Sequence, residues 1–360
     1  MKKYFIPAIL CILVCLAAVF FSYRTAHKNY YDLITMTGAT PLAVSEKVPS
    51  HFELTVDGMV KKTYHFSASA LNGFAHTRIR TREFSPDGTF LGAYMYLGIP
   101  VFNILEGVAP QKPVGVIFDQ PLDILVEFTS ASGVKRGFSF NELLMTDDKY
   151  PVTLAYKRAQ IVPTNENLKD TYQKNRYTTT LTSFRLICPK EPDNGRYLDD
   201  VTTITYTTIA STPDELLPRR QKGRPCKSTT IYCIADTAKY RAQLEQVAPM
   251  SINNWVRIGH GHGFNDIANI SGFSLRSFLS NNFTINNIDQ TFFLFAACDG
   301  YRALFSGREI FATFDGNKMV IVEKINGQPH NNGYMLAPAA DFFNDRAIWG
   351  LQYVVQLAYP

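Results

Sequence analysis

The stretch that decides the fold occurs twice in this chain of 360 residues. Residues 132–143 read SGVKRGFSFNEL, and residues 299–310 read DGYRALFSGREI. The two stretches align without a gap, and the identical positions are Gly133/Gly300, Phe138/Phe305, Ser139/Ser306 and Glu142/Glu309. A match of this kind between the two halves of a chain indicates an internal duplication.

Other segments repeat around this stretch in the same order. Residues 96–101 match residues 270–275, and residues 194–196 match residues 344–346. Residues 54–57 match residues 232–236 more loosely. The separation between matching residues decreases along the chain, so the second copy has the shorter loops. The shared order favours two diverged copies of one domain.

Turn residues and a basic stretch set the boundaries between these copies. Residues 52–56 alternate apolar and polar before the turn signal Asp57-Gly58, which is typical of a short strand. The stretch 218–225, PRRQKGRP, interrupts this pattern and is the best candidate for a linker. We therefore expect a signal anchor at 1–23, a stalk at 24–49, a first copy at 50–209, a basic linker at 210–228 and a second copy at 229–360.

The N-terminal segment favours export. Lys2 and Lys3 precede residues 5–21, which carry no charged side chain. At a rise of ~1.5 Å per residue this run is just long enough to cross a bilayer core. A cleaved secretory signal has the same opening, but no small-x-small cleavage pattern follows it. We expect an uncleaved, single-pass anchor in a bacterial cytoplasmic membrane, with the bulk of the chain extracytoplasmic, either periplasmic or on the outer surface.

Composition limits the classes of function. Hydrophobic residues make up 46% of the chain and charged residues 19%, which is ordinary for a globular protein. The net charge of +5 is spread along the chain, and no nucleic-acid motif accompanies it. We expect no nucleic-acid partner.

A known family shares several of these motifs. Residues 98–105 read GIPVFNIL after a Tyr-rich segment, and Asp299-Gly300-Tyr301 is followed by Ser306 and Glu309. Residues 184–189 read FRLICP and precede Gly195-Arg196-Tyr197 and a final strand. With these motifs, each copy resembles the oxidoreductase molybdopterin-binding domain of the sulfite oxidase family, over most of 50–207 and 229–358. The resemblance implies an α+β fold dominated by mixed sheet: two tandem, degenerate sulfite-oxidase-like domains behind one N-terminal transmembrane helix.

The departures from that family concern its cofactor site. In catalytic members, a cysteine thiolate early in the domain binds molybdenum, but the matching intervals 72–98 and 254–272 contain no cysteine. The family's Lys-Trp after the Gly-Arg turn is replaced by residues 197–198, YL, and residues 347–348, AI. A soft metal would lose a principal ligand here. We therefore expect no cofactor and no catalysis by the family's mechanism, although molybdopterin itself stays an alternative.

Two groups of basic residues are candidates for binding an anionic ligand. His76, Arg78, Arg80 and Arg82 alternate, so in a strand they share one face, and arginine forks suit phosphate or carboxylate. The alternative is a solvated sheet face or a contact between the copies. Arg196 and Arg346 recur at matching turns, where they are either anion contacts inherited from pterin binding or partners in salt bridges to a neighbouring loop.

Histidines and cysteines suggest two further features. Residues 259–263 read GHGHG, so His260 and His262 project to one side if the strand continues, and His330 is a candidate third metal ligand. The alternative is a tight turn whose imidazoles bond nearby carbonyls. Cys226 and Cys233 are close enough in sequence to form a disulfide in an oxidising compartment, or they are unpaired thiols.

The sequence as a whole favours a membrane-anchored, extracytoplasmic binding or scaffold protein that is not catalytic. Its expected partners are the membrane, through the N-terminal helix, and an unidentified anionic small molecule or protein. A molybdopterin-dependent oxidoreductase is one alternative, and a metal- or haem-binding accessory protein is another.

Overall fold

The computed structural model describes most of the chain beyond the predicted anchor. The described residues are 47–85, 87–145, 149–161, 178–209, 212–223, 226–236 and 238–359. The predicted anchor at 1–23 and nearly all of the predicted stalk lie outside them. Among the described residues, no helix is both long and apolar enough to span a membrane.

The first half consists of nine strands and three short helices within the described residues. The strands are β1 (Glu53–Gly58), β2 (Tyr64–Ser67), β3 (Thr77–Phe84), β4 (Phe90–Pro100), β5 (Leu125–Ser130), β6 (Lys135–Ser139), β7 (Thr153–Gln160), β8 (Thr178–Ile187) and β9 (Leu198–Thr207). The helices are α1 (Ala68–Leu71), α2 (Val101–Gly107) and α3 (Phe140–Leu144).

The second half consists of further strands and two helices. The strands are β10 (Tyr232–Ala235), β11 (Ala238–Arg241), β12 (Pro249–Gly259), β13 (Gly263–Ser274), β14 (Thr291–Ala297), β15 (Arg302–Ser306), β16 (Met319–Ile325), β17 (Gln328–Pro329), β18 (Met335–Pro338), β19 (Ile348–Trp349) and β20 (Leu351–Ala358). The helices are α4 (Leu275–Asn282) and α5 (Gly307–Phe311). The fold is α+β and dominated by mixed sheet, as the sequence predicts.

The strand pairings follow one pattern in both halves. β1 pairs in parallel with β9, which pairs antiparallel with β5, just as β10 pairs in parallel with β20, which pairs antiparallel with β14. The hairpin β3–β4 continues antiparallel into β7, and the hairpin β12–β13 continues antiparallel into β16. The strands of the first half form one nine-stranded sheet, whereas those of the second half form a five-stranded and a six-stranded sheet.

The repeated stretch has the same local structure in both halves. Residues 132–143 form a turn, strand β6 and helix α3, and residues 299–310 form a turn, strand β15 and helix α5. Each helix begins with a serine cap: Ser139 Oγ accepts a hydrogen bond from Glu142 N at 3.1 Å, and Ser306 Oγ accepts one from Glu309 N at 3.0 Å. These caps satisfy a free N–H at each helix start, which explains why Ser recurs there, whereas the Glu142 and Glu309 side chains contact Arg196 and Arg346.

The two halves pack against each other through these central strands. Phe292 and Leu294 of β14 share an apolar cluster with Leu125 of β5. Gly137 of β6 lies where an added Cβ would come within 3.2 Å of both Phe292 and Tyr359, so a larger residue would require these rings to shift. The Tyr359 hydroxyl also donates to Glu127 Oε2 at 2.7 Å. The contact between the halves is therefore buried and specific.

Candidate ligand-binding cleft

A cleft of about 750 Å³ lies beside β3 and reaches across to the second half. We call it the β3 cleft. Its lining comes from β3, from the turn after β8 and from a short segment before β16. The lining residues are Arg80, Thr81, Arg82, Phe84, Ala93, Lys149, Tyr150, Ile161, Pro189, Lys190, Glu191, Pro192, Tyr197, Phe314 and Asp315.

Strand β3 borders this cleft with its backbone edge. β3 pairs with β4 over its whole length and is the last strand in the order of the nine-stranded sheet. Successive side chains of a strand point to opposite faces. The consecutive residues Arg80, Thr81 and Arg82 all line the cleft, so it borders the edge of β3, and Ala93 and Ile161 extend it over the neighbouring strands.

The charge of the β3 cleft is mainly positive. Arg80 and Arg82 are exposed, and Lys149 and Lys190 also line it. The two acidic residues in the lining have basic partners: Lys190 Nζ lies 2.9 Å from Asp315 Oδ2, and Glu191 is paired with buried arginines behind the wall. The arrangement suits a ligand with carboxylate or phosphate groups.

Aromatic side chains give the cleft an apolar rim. Phe314 is 84% exposed and Tyr150 is 50% exposed, which is unusual for side chains of this size. Tyr197 forms part of the wall, and its burial raises the pKa of its hydroxyl above the ordinary range. Tyr197 therefore stays protonated at neutral pH and can donate a hydrogen bond to an anion.

The predicted arginine strip is present as a strand face. Arg78, Arg80 and Arg82 project from the exposed side of β3, while the residues between them are buried. His76 precedes the strand and does not line the cleft. Its Nδ1 lies 2.7 Å from the Tyr156 hydroxyl, so it takes part in a local contact with the core.

Arg196 and Arg346 occupy matching ion-pair clusters in the two halves. Arg196 is paired with Glu142 and Glu191, and Arg346 is paired with Glu309 and Asp341. Arg346 is fully buried and Arg196 is 5% exposed. Of the two sequence-based alternatives, the structure shows the salt bridge, because carboxylates of the same half already engage both guanidiniums.

A smaller cleft of about 290 Å³ lies in the second half, lined in part by His262, Trp349 and Asp345.

The histidines predicted to bind a metal make other contacts. The His260 ring packs on Phe343, with centroids 4.9 Å apart. His330 Nδ1 lies 3.1 Å from the Gly333 carbonyl oxygen, and its ring packs on Trp349. The described part of the chain contains no group of three or more His, Cys, Asp or Glu positioned to hold a metal ion.

The predicted Cys226–Cys233 disulfide is wrong. Cys226 is bonded to Cys298, with a Cα–Cα distance of 5.8 Å and a sequence separation of 72 residues. Cys233 is a free, buried thiol inside β10, where it belongs to the apolar core. Proximity in sequence misled the prediction, because the alternation of β10 directs Cys233 into the core while the turn after β14 brings Cys298 beside Cys226.

Sequence reasoning missed several residues of the β3 cleft. Lys149, Lys190 and Phe314 lie far apart in sequence and carry no motif, so only the fold brings them together. It also missed a contact between the two halves, although its signal was present. Glu142 and Glu309 are identical positions of the repeat, and they lie in the same buried cluster between the halves.

Comparisons with known proteins add little to this geometry. The chain matches no protein-family model, and no curated protein matches it. Its fold is similar to the crystal structure of the sulfane dehydrogenase SoxCD from Paracoccus pantotrophus. That similarity has a TM-score of 0.32 and 12% sequence identity, and it covers 86% of this chain and 79% of the other.

The side chains of the clefts do not fit a thiolate-bound molybdenum. The free cysteines of the described residues are Cys188 and Cys233, both buried, and neither lines a cleft described above. Burial raises the pKa of the Cys188 thiol well above its ordinary value and that of Cys233 to about 12. Cys188 Sγ donates to the Arg196 carbonyl oxygen at 3.7 Å. Neither thiol is placed or ionised to act as a metal ligand.

Proposed function

We propose that this chain is a non-catalytic, extracytoplasmic binding protein that holds an anionic ligand in the β3 cleft. The observation that carries the proposal is the lining of the cleft, in which Arg80, Arg82 and Lys149 border a volume of about 750 Å³ and Lys190 offsets the charge of Asp315. A volume of this size is typical of ligand pockets. The absence of a cysteine from its lining favours binding over molybdenum chemistry.

We further propose that the two halves are diverged tandem copies of a sulfite-oxidase-like domain. Three observations support this proposal. The strand pairings follow one pattern, the serine caps Ser139 and Ser306 recur, and the buried arginines Arg196 and Arg346 each contact the glutamate of their own copy. Loss of the cofactor ligands in a duplicated domain would leave a cleft free for another ligand.

The proposed location is the outer face of a bacterial cytoplasmic membrane, with residues 5–21 as the anchor. The disulfide between Cys226 and Cys298 supports export, because such bonds persist in oxidising compartments. Protease treatment of spheroplasts tests the location. A digested bulk domain supports it, and a protected bulk domain contradicts it.

The test of the binding role begins with protein purified from its native host. Native mass spectrometry of the full chain is compared with the variant Arg80→Ala/Arg82→Ala. We expect the wild type to retain an anionic molecule, or to bind one from a panel of phosphate, citrate and acidic peptides, and the variant to lose it. An unchanged mass difference or affinity in the variant would place the binding site elsewhere.

The same purified protein tests the rival oxidoreductase role. Elemental analysis distinguishes the two proposals without any assumption about a substrate. One equivalent of molybdenum per chain would replace the binding role with the oxidoreductase role.

A further inference from the structure

We propose that the β3 cleft takes an extended acidic segment of a partner protein, which adds as a new strand to the free edge of β3. This inference rests on the proposed anion-binding role and names the class of ligand for the same cleft. It requires an open strand edge, positive charge along that edge and an apolar surface for the side chains of the segment.

The open edge is the first of these features. β3 pairs with β4 from Thr77 to Phe84, and among the described residues no other strand pairs with it. Every second residue of an edge strand presents its N–H and C=O away from the sheet. Since the cleft runs along residues 80–82, those groups face it, and an extended peptide could bond to them by strand addition.

The positions of charge predict the sequence pattern of the segment. Side chains of an added strand alternate between the two faces of the sheet. On the face that carries Arg80 and Arg82, acidic side chains would form opposite-charge pairs across the strands. On the other face, the side chains would meet Thr81 and Tyr197, which both line the cleft. The geometry therefore predicts acidic residues at every second position, with apolar residues between them.

The rim of the cleft favours a protein segment over a small anion. Phe314 and Tyr150 are exposed at the rim, and Phe90, which is 56% exposed, packs on Phe84 with ring centroids 5.6 Å apart. A small anion needs only the basic groups and would leave these rings in water. Exposed aromatic side chains beside arginine are typical of the core of a protein interface.

The matching edge in the second half serves as a contrast. β12 is also the last strand of its sheet, but its exposed Val256 lies beside the exposed Ile267 of β13, so this face is apolar. Arg257, on the opposite face, is paired with Asp266 of the same hairpin. The cationic strip is thus specific to β3, and an acidic segment should select the first half.

The test uses the full chain in mild detergent and synthetic peptides with blocked ends. The first peptide alternates Glu and Val over seven residues, and the second has the same composition with its Glu residues grouped. The third and fourth peptides have the sequence of the first. One carries backbone N-methyl groups on its odd-numbered residues and the other on its even-numbered residues. N-methylation removes N–H donors and leaves the charge unchanged. We expect the alternating peptide to bind at least tenfold more tightly than the grouped peptide. Because only one alternate set of N–H groups would face β3, we also expect one of the two N-methylated peptides to bind at least tenfold more weakly than the alternating peptide.

A charge exchange provides the second measurement. The variant Arg80→Glu/Arg82→Glu should bind the alternating Glu peptide at least tenfold more weakly and should prefer an alternating Lys-Val peptide. The control Lys61→Glu/Lys324→Glu makes the same charge change at exposed residues outside the cleft and should bind as the wild type does.

The outcomes separate this inference from the anion-binding role. If all four acidic peptides bind equally and Arg80→Glu/Arg82→Glu weakens them all, the cleft binds anions but adds no strand, and this inference is overturned alone. If citrate or phosphate binds in the cleft and no peptide does, the same conclusion follows. If no anion of either kind binds, the proposed function fails as well.

Discussion

The Ser306 hydroxyl of the second half donates a hydrogen bond of 2.5 Å to the Glu142 carboxylate of the first half. Arg196 Nη1 also donates to Ser306 Oγ at 3.2 Å, so one serine joins the acid and the base of the other copy. Glu142, Ser306 and Arg196 are all buried. The contact between the halves thus has a polar centre, and two of its three members, Glu142 and Ser306, belong to the repeated stretch itself.

This centre predicts a pH-dependent stability. Burial raises the pKa of Glu142 from 4.5 to about 7, with Arg196 opposing and Glu309 reinforcing the shift. A carboxyl group whose pKa is higher in the folded state stabilises the fold at low pH. Its contribution, on the order of 3 kcal/mol, should be lost as the pH rises from about 4.5 to about 7. Urea unfolding of Glu142→Gln across this window should lack that loss.

The control for this measurement is Glu245→Gln, which changes an exposed side chain of the same type. It should keep the pH dependence of the wild type. An identical slope in Glu142→Gln and in the wild type would show that Glu142 does not carry a shifted proton.

The matched arginines predict matched losses of stability. Replacing Arg346 by Met leaves Glu309 and Asp341 buried without their cation, and replacing Arg196 by Met does the same to Glu142 and Glu191. Each change should lower the free energy of unfolding by about 3–5 kcal/mol. Arg219→Met, at an exposed position, should change it by no more than ~0.5 kcal/mol. If only one of the two arginine variants has a lower free energy of unfolding, Arg196 and Arg346 do not have equivalent roles in the two halves.

The disulfide predicts a specific linked peptide. Non-reducing peptide mapping of the exported protein should find Cys226 joined to Cys298, with Cys233 unmodified until the protein unfolds. Cys298→Ser should lower the free energy of unfolding by about 2–4 kcal/mol, because it frees a long loop in the unfolded chain. A peptide that links Cys226 to Cys233 would restore the pairing suggested by sequence proximity.

The positions of the free cysteines predict the molybdenum content of the protein. Since neither free cysteine of the described residues lines a cleft, full-length protein from its native host should contain no stoichiometric molybdenum. Inductively coupled plasma mass spectrometry of freshly purified protein measures this directly. A metal-to-protein ratio near one, abolished by replacing Cys188 with Ser, would contradict the proposed binding role.

The sequence predicted the features that depend on local pattern. Alternation predicted that Arg78, Arg80 and Arg82 share one face of a strand, and they lie on the exposed face of β3. The α+β class was implied by the resemblance of the motifs to the sulfite oxidase family. These features depend on residues that are close in sequence, so pattern alone is informative.

The features that the sequence did not predict depend on contacts between distant segments. Lys190 reaches the β3 cleft because the turn after β8 folds back beside β3, and Phe314 reaches it because the second half packs on the first. The Cys226–Cys298 bond spans 72 residues, and no spacing rule distinguishes it from the nearer pair. Arg196 and Arg346 were recognised as equivalent, but only burial identifies them as ion-pair residues and not as ligand contacts.

The most direct test of the central claim is a calorimetric titration of the full chain with an anion. Citrate and the alternating Glu-Val peptide are titrated into the wild type, into Arg80→Ala/Arg82→Ala and into the control Lys61→Ala/Lys324→Ala. Each charge-assisted hydrogen bond contributes roughly 1.5–3 kcal/mol, less where the side chain is exposed. The account predicts binding to the wild type and the control, and at least tenfold weaker binding to the arginine variant. Equal affinity for all three proteins, or no binding to any of them, would contradict the assignment of the β3 cleft as an anion site.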